Sequence, residues 1–378
     1  MKTQQLLFNN NEWSSTSLSP SFDNGKCQLV IVFGSKDYIT IPEITAHIRS
    51  SYPNADLVFS SSSGEILSNT VHESVVVTAI EFEKTRVECF ETSYKDHQDS
   101  YHIGKHLMQK LEADDLCGVF VLSDGTNING ADLVLGLNDL NSKHVPIAGG
   151  MAGDGARFEK TFVGLNEVPS EGKIVAVGFY GSSLEIGSGY FGGWDEFGRE
   201  RTITKSEKNV LFELDGKNAL DLYKEYLGPY ADQLPGSALH FPFSIRTDSD
   251  EFLVRTILAV SEEDQSLTSA GNLPVGSKVR LMKGTFDKLI AGCSVAAEDS
   301  LKKNKNKEPE LAILVSCVGR KIILHDRTEE EVQAAIDTLG KKTCVTGFYS
   351  YGEIAPANSG TSCELHNQVM AITTFSES

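Results

Sequence analysis

The sequence predicts an α/β protein of two pseudo-repeated halves, with mixed parallel and antiparallel sheets flanked by helices. Three observations carry this. Apolar strand runs such as QLVIVFG (28–34), LCGVFVLSDG (116–125) and ELAILVSCVGRK (310–321) alternate with helical patterns. Two strand–helix–strand segments, ending in IAGGMAGDG (147–155) and GFYSYGEIAP (347–356), repeat one layout of about 30 residues, the size of a βαβ unit. A length of 378 residues also exceeds one ordinary core.

The elements follow in order. Residues 1–26 read as polar and turn-rich, ahead of the QLVIVFG strand. Thr40 and Glu43 have capping-box spacing for a short helix with Ile41, Ile44 and Ile48 on one face. ADLVF (55–59) is the next strand and runs into SSSSGEI. ESVVVTAIEF and TRVECFET then read as an antiparallel pair. In the second unit Asn129 is placed to cap a helix with Leu133, Leu137 and Leu140 inward, and HVPIAGG is the returning strand. KIVAVGFYG and SLEIGSGYFG read as a hairpin around Gly181-Ser182-Ser183.

From about residue 193 the texture becomes polar and glycine-bearing, GGWDEFGRERTITKSEKN, before VLFEL. A helix with Leu220, Tyr223 and Leu227 on one face stops at Gly228-Pro229. The domain seam is placed here, giving domains 27–214 and 215–378. FLVRTILAV (252–260) and SKVRLM (277–282) are strands, GTFDKLIAGCSVAAEDSLKKN is a longer helix, and KKNKNKEPE (302–310) is a solvated loop. In the last unit Thr328 and Glu331 form a second capping box, Val332, Ala335, Ile336 and Leu339 face inward, and Gly340 is the stop.

Composition excludes several classes. With 52 acidic against 34 basic residues the net charge is −18, which argues against a surface for nucleic acid or anionic lipid. The N-terminus lacks a signal-peptide apolar region and no apolar run reaches membrane-spanning length, so a cytoplasmic protein without membrane insertion is expected. Seven cysteines with no CxxC suggest buried free thiols, and no HExxH signature marks a catalytic metal.

The chemistry lies in the turns. VFSSSSGEI (58–66), IAGGMAGDG and GFYSYGEIAP each end a strand in small residues followed by an acid. Such strand ends leave backbone amides uncovered, and in βαβ sheets they border crevices. Glu65, Asp154 and Glu353 are expected to face one cavity, with Arg320 positioned to pair a ligand carboxylate and Tyr349 and Tyr351 as aromatic walls. That constellation suits a small zwitterion. The competing structural reading is that each acid accepts amides of its own turn, and that period-two alternation puts both tyrosines in the core or rim. GSGYFGG (187–193) follows no strand–helix fingerprint, which disfavours a nucleotide site. Cys363 and His366 would point to opposite faces of an extended segment, poor geometry for a dyad. A single axial histidine for haem needs no local motif; His366 and His240 are the candidates.

The chain resembles the FIST family. LPVGSKVRLMKGTFD, ELAILVSCVGRKIIL, TEEEV, GFYSYGEIAP and CELHNQVMAITT follow the family's C-terminal domain, and FSSSSGEI, LSDGTNINGADLVLGL, VPIAGGMAGDG and FELDGKNALDLYKEYLG follow its N-terminal domain. GGWDEFGRE departs from the family where a proline is expected after the glycine–tryptophan region. The resemblance implies a non-enzymatic sensory module that binds a small ligand, with amino acids proposed, and signals to a separate protein. It requires no cofactor, although one branch is similar to haem-containing nitric-oxide sensors that regulate a partner histidine kinase. A third reading is a hydrolase or transferase on an amino-acid-like substrate, for which Ser63 beside Glu65 is the only hint. Carried over by motif, the ligand-binding positions are Ser63, Glu65, Asp154, Arg320, Tyr349, Tyr351, Glu353 and His366.

Overall fold

Residues 1–246, 252–302, 308–357 and 362–378 are described by the computed structural model. Part of the expected loop at 302–310, residues 303–307, lies outside them. The fold is mixed α/β, as its sequence pattern predicts. Three six-stranded sheets each turn one face to a common core. Each contains one parallel pair: Leu29–Ser35 with Asp56–Ser62, Leu116–Ser123 with Ile147–Met151, and Leu311–Cys317 with Cys344–Ser350.

Strand alternation divides these residues between layers. Leu29, Ile31 and Phe33 enter the common core, as do Phe120, Leu122, Ile313 and Val315. Their neighbours Val30 and Val32 pack under the helix Pro42–Ser51. Val119 and Val121 pack under Ser100–Leu111 and Gly130–Leu140, and Ala312 and Leu314 under Phe286–Leu301 and Thr328–Leu339. Aromatic contacts tie the sheets: Phe33 stacks on Phe348 at 4.5 Å between ring centroids, and Phe179 meets Phe375 at 5.3 Å.

The two strand–helix–strand copies read from the sequence are therefore joined by a third, over Leu29–Ser62, and the three exchange strands. The segment after each glycine–acid turn leaves its own sheet. Glu65–Leu67 pairs with Cys344–Ser350, Gly352–Pro356 with Ile147–Met151, and Val163–Leu165 with Asp56–Ser62. The expected hairpins are overturned by the same exchange. Val75–Glu81 stays beside Leu29–Ser35, whereas Arg86–Ser93 crosses to pair with Lys173–Tyr180. Leu184–Phe191 likewise leaves Lys173–Tyr180 and pairs with Met370–Glu377. In the first sheet the corresponding place is filled by Lys2–Asn9, so the opening residues form strands, not a turn-rich lead-in. Burial explains this: Thr3 and Gln5 alternate inward, and Gln5 Nε2 donates to Val345 O at 2.9 Å.

Both expected capping boxes are also corrected. Pro42 opens its helix after Ile41, which makes no side-chain cap, and Thr40 ends the preceding turn. Thr328 begins its helix after Arg327 and donates to His325 O, leaving Glu331 for a buried ion pair described below. Asn129 does cap its helix, accepting from Asp132 N at 3.1 Å. Between Leu184–Phe191 and Phe286–Leu301 the chain builds a further eight-stranded sheet with its own core around Leu211, Leu220, Tyr223 and Leu281. FLVRTILAV breaks there into Phe252–Arg255 and Ile257–Ser261, at opposite ends of that sheet.

The Met1 ammonium lies 3.2 Å from a Glu377 carboxylate oxygen. A permutant joining residue 378 to residue 1 by a short Gly-Ser linker, and opened at Gly181–Ser183, reproduces in the third repeat the gap that exists in the first. It is expected to melt cooperatively within a few degrees of the parent by circular dichroism. A permutant opened inside Asp56–Ser62 is expected to lack that transition.

Candidate functional site

The three turns meet. Ser63 N donates to Tyr349 O at 2.8 Å, Tyr351 N to Met151 O at 3.1 Å, and Gly153 N to Ser61 O at 3.1 Å. Each turn thus gives an amide to another in a closed cycle. Small residues are needed because the backbones touch: a Cβ on Gly153 would lie 2.3 Å from Ser63 Oγ.

Their acids do not open onto a shared hollow. Glu65 and Glu353 are fully buried and face their own turns. Glu65 accepts from the Ser62 hydroxyl and from Ser74 N at 2.6 Å. Glu353 accepts from Ser350 Oγ at 2.5 Å and from Val369 N at 3.4 Å. Burial pushes the Glu65 carboxyl up to about 7 and that of Glu353 up to about 8, against the opposing pull of these hydrogen bonds. Asp154 is closed from solvent as well. Burial alone would raise it, but the Lys160 amide, the Tyr351 hydroxyl and Lys36 Nζ outweigh this and hold it below the usual aspartate range. Ser63 Oγ donates to Gly155 O at 3.0 Å and so has no base. Tyr351 stacks on Phe158 at 4.5 Å, at the rim.

Arg320 is also committed inward. Its guanidinium is fully buried, pairs with Glu331 at 2.8 Å, and donates to Gly192 O and Leu289 O, each at 2.7 Å. Glu331 in turn accepts from Tyr349 OH at 2.7 Å and Ser316 Oγ at 3.0 Å. The expected partner of a ligand carboxylate is thereby consumed, and Tyr349 is core. Sequence reading missed Glu331 because its spacing from Thr328 mimics a cap.

An aromatic-lined cavity lies elsewhere, at the junction of the third sheet with the additional one. It has a volume of about 340 Å³. Tyr190 and Phe191 line it from Leu184–Phe191, followed by Gly192, Gly193 and Trp194. Val295 and Asp299 come from Phe286–Leu301, Phe252 and Val254 from Phe252–Arg255, and His366 and Val369 from the C-terminal segment. Of the eight positions carried over by motif, His366 alone lines it. GSGYFGG is glycine-rich because the helix rests on it: a Cβ on Gly187 would meet Ser300 O at 1.9 Å and one on Gly189 Ala296 O at 2.2 Å. The aromatic residues in that run were the sequence signal for the cavity. Trp194 is pinned by Nε1 donating to Gln368 O at 2.9 Å.

His366 was also the candidate for haem. Burial first, then Arg255, lowers it to about 3, so its imidazole is neutral, the form that binds iron. Approach is the obstacle. Tyr190 covers the ring at 3.9 Å between centroids, and Nε2 is sealed from solvent with no hydrogen-bond partner. The residues present do not fit axial ligation there, and His240 is exposed. His102 and His106 stand one turn apart and His97 packs on His106 at 4.8 Å, yet no group of three or more potential ligands is placed for a metal among the described residues.

Comparison with known proteins shows the family. The FIST N domain model matches residues 28–217 and the FIST C domain model residues 219–356. The chain is 26% identical over 324 residues to the uncharacterized protein MJ1623 of Methanocaldococcus jannaschii, covering 74% of this chain and 60% of that relative. The chain therefore spans less than two thirds of that relative's length.

Two outcomes follow from these buried charges. Arg320→Met strands Glu331 without its cation and is expected to lower stability by about 3–5 kcal/mol in urea unfolding, whereas Arg320→Met with Glu331→Leu recovers much of that loss. The raised carboxyls of Glu65 and Glu353 favour the folded state most below their ordinary value of 4.5, and this advantage is lost as pH rises through about 7 and 8. The Glu65→Gln, Glu353→Gln variant should therefore lose less stability than the parent between pH 5 and pH 9; parallel melting curves would contradict the assignment.

Proposed function

The chain belongs to the FIST family of sensory signal-transduction domains, and on that premise we propose that it senses an amino-acid-like small molecule in the Trp194 cavity. The observation that carries this reading is the cavity's position and aromatic lining. About 340 Å³ is enough for a small ligand, and its walls come from both the three-sheet body and the additional sheet. A ligand filling it touches both, so it favours whichever arrangement of the two encloses it best. The signal then passes to a separate partner, a histidine kinase or another signalling protein. The three-turn junction is the rigid frame against which this movement occurs.

Activity of an enzymatic kind is not part of the reading. Ser63 lacks a base, and Ser62, which does bond a carboxylate, is buried with it away from the cavity. A cytoplasmic setting suits the seven free cysteines among the described residues, which a reducing compartment maintains. No described helix is long and apolar enough to cross a membrane.

Trp194 offers a direct readout, because the chain has only one other tryptophan, Trp13, which stacks on His47 on a different sheet. In a Trp13→Phe background, titration with amino acids and their amines is expected to give a saturable change in emission. Val295→Phe, which fills the cavity, should abolish it, and Glu353→Gln should leave it within about twofold. A signal that survives Val295→Phe but disappears in Glu353→Gln would return the site to the turns.

A further inference from the structure

Resting on the ligand reading of this cavity, we propose that its occupant is an organic monocation, an amine lacking a free carboxylate. Four aromatic residues, Tyr190, Phe191, Trp194 and Phe252, stand around the space. Ring faces carry negative electrostatic potential and attract ammonium groups, more strongly as water is excluded. Phe191 and Phe252 are 43% and 48% exposed, so they border the open side, while Trp194 is buried within.

The charges on the walls have one sign. Among the described residues, Asp299 is the one lining residue that carries charge, and neither lysine nor arginine lines the cavity. One Asp299 oxygen bonds Lys302 Nζ at 2.5 Å, but that lysine is mostly exposed and water competes for it. His366 is neutral, being held well below physiological pH. The two arginines nearest by sequence or packing are spent on the protein. Arg320 is bound to Glu331 and carbonyls, and Arg255 NH1 donates to Leu365 O at 2.9 Å and Val254 O at 3.2 Å. An ammonium entering here meets aromatic faces and a carboxylate. A carboxylate entering beside it would leave water with no cation among the described lining residues to replace it, at a substantial cost. The chemistry therefore accepts the amine end of an amino acid and rejects the acid end. Both the decarboxylated amines and the carboxyl-blocked esters or amides satisfy it.

The test uses four molecules of one shape: 3-methylbutylamine, L-leucine, 4-methylpentanoate and 3-methylbutanol, titrated calorimetrically into the full chain. The amine is expected to bind roughly tenfold or more tighter than leucine, and Asp299→Asn or Phe252→Leu to weaken it by roughly tenfold each. Leucine binding as tightly as the amine, or an amine affinity indifferent to Asp299→Asn, overturns the proposal. If the acid or the alcohol binds best and Val295→Phe abolishes that binding, the cavity remains the ligand site and only its cationic preference falls. Silence toward all four, with unchanged Trp194 emission, removes the cavity reading and this proposal with it.

Discussion

Three amide-to-carbonyl bonds between turns hold this molecule together at its centre: Ser63 to Tyr349, Tyr351 to Met151, and Gly153 to Ser61. Bringing three strand ends this close demands residues with little bulk, which accounts for the glycines and serines. It also leaves each chain to depart sharply toward another sheet, carrying amides that need acceptors. The acid after the glycine supplies them. Glu65 gathers Ser62 and Ser74, and Glu353 gathers Ser350 and Val369. A buried carboxylate is costly, which is why both carboxyls are pushed up, but an unsatisfied buried amide is costly too. The aspartate of the second copy solves the same problem by accepting from the amides of Phe158, Glu159 and Lys160, and it adds Lys36 and Tyr351, which come from the other two repeats.

Much of this was legible in the sequence. Central strands announce themselves by continuous apolar runs, because a strand covered on both faces needs them. The turns stood out by repetition, and Asn129 by its cap. What local pattern could not reveal was exchange. Val75–Glu81 and Arg86–Ser93 are two β-like runs separated by a short link, for which hairpin pairing is the ordinary outcome. They part because each completes a different sheet, a fact fixed by closure of the whole. Lys2–Asn9 was hidden for the related reason that its inward residues are Thr3 and Gln5, polar but satisfied, Thr3 by nearby Ser19 and Gln5 by Val345 of another sheet. The acids were legible as a group and misleading as a site. Their regular spacing reflected a shared backbone problem, and nothing in a linear pattern distinguishes a carboxylate that waits for a ligand from one already occupied.

The cavity shows the complementary limit. Its aromatic walls come from Leu184–Phe191, Phe252–Arg255 and the segment between them, brought together by the additional sheet, which departs from the threefold plan. Repetition drew attention to the turns, whereas the candidate binding chemistry lies where repetition stops. Glycines 187 and 189 serve both features: they let Phe286–Leu301 settle directly on the strand, which fixes Val295 and Asp299 as one side of the hollow.

The place of Lys2–Asn9 has a consequence for anything attached to this protein. In the other two sheets the equivalent strand is tethered covalently to the preceding repeat, so the ring of repeats is continuous there and joined only by contact where Met1 meets Glu377. An effector fused upstream and one fused downstream would emerge from a single seam. Tension applied upstream would load Lys2–Asn9 of the first sheet and tension applied downstream Met370–Glu377 of the third, two strands that meet at this seam without pairing.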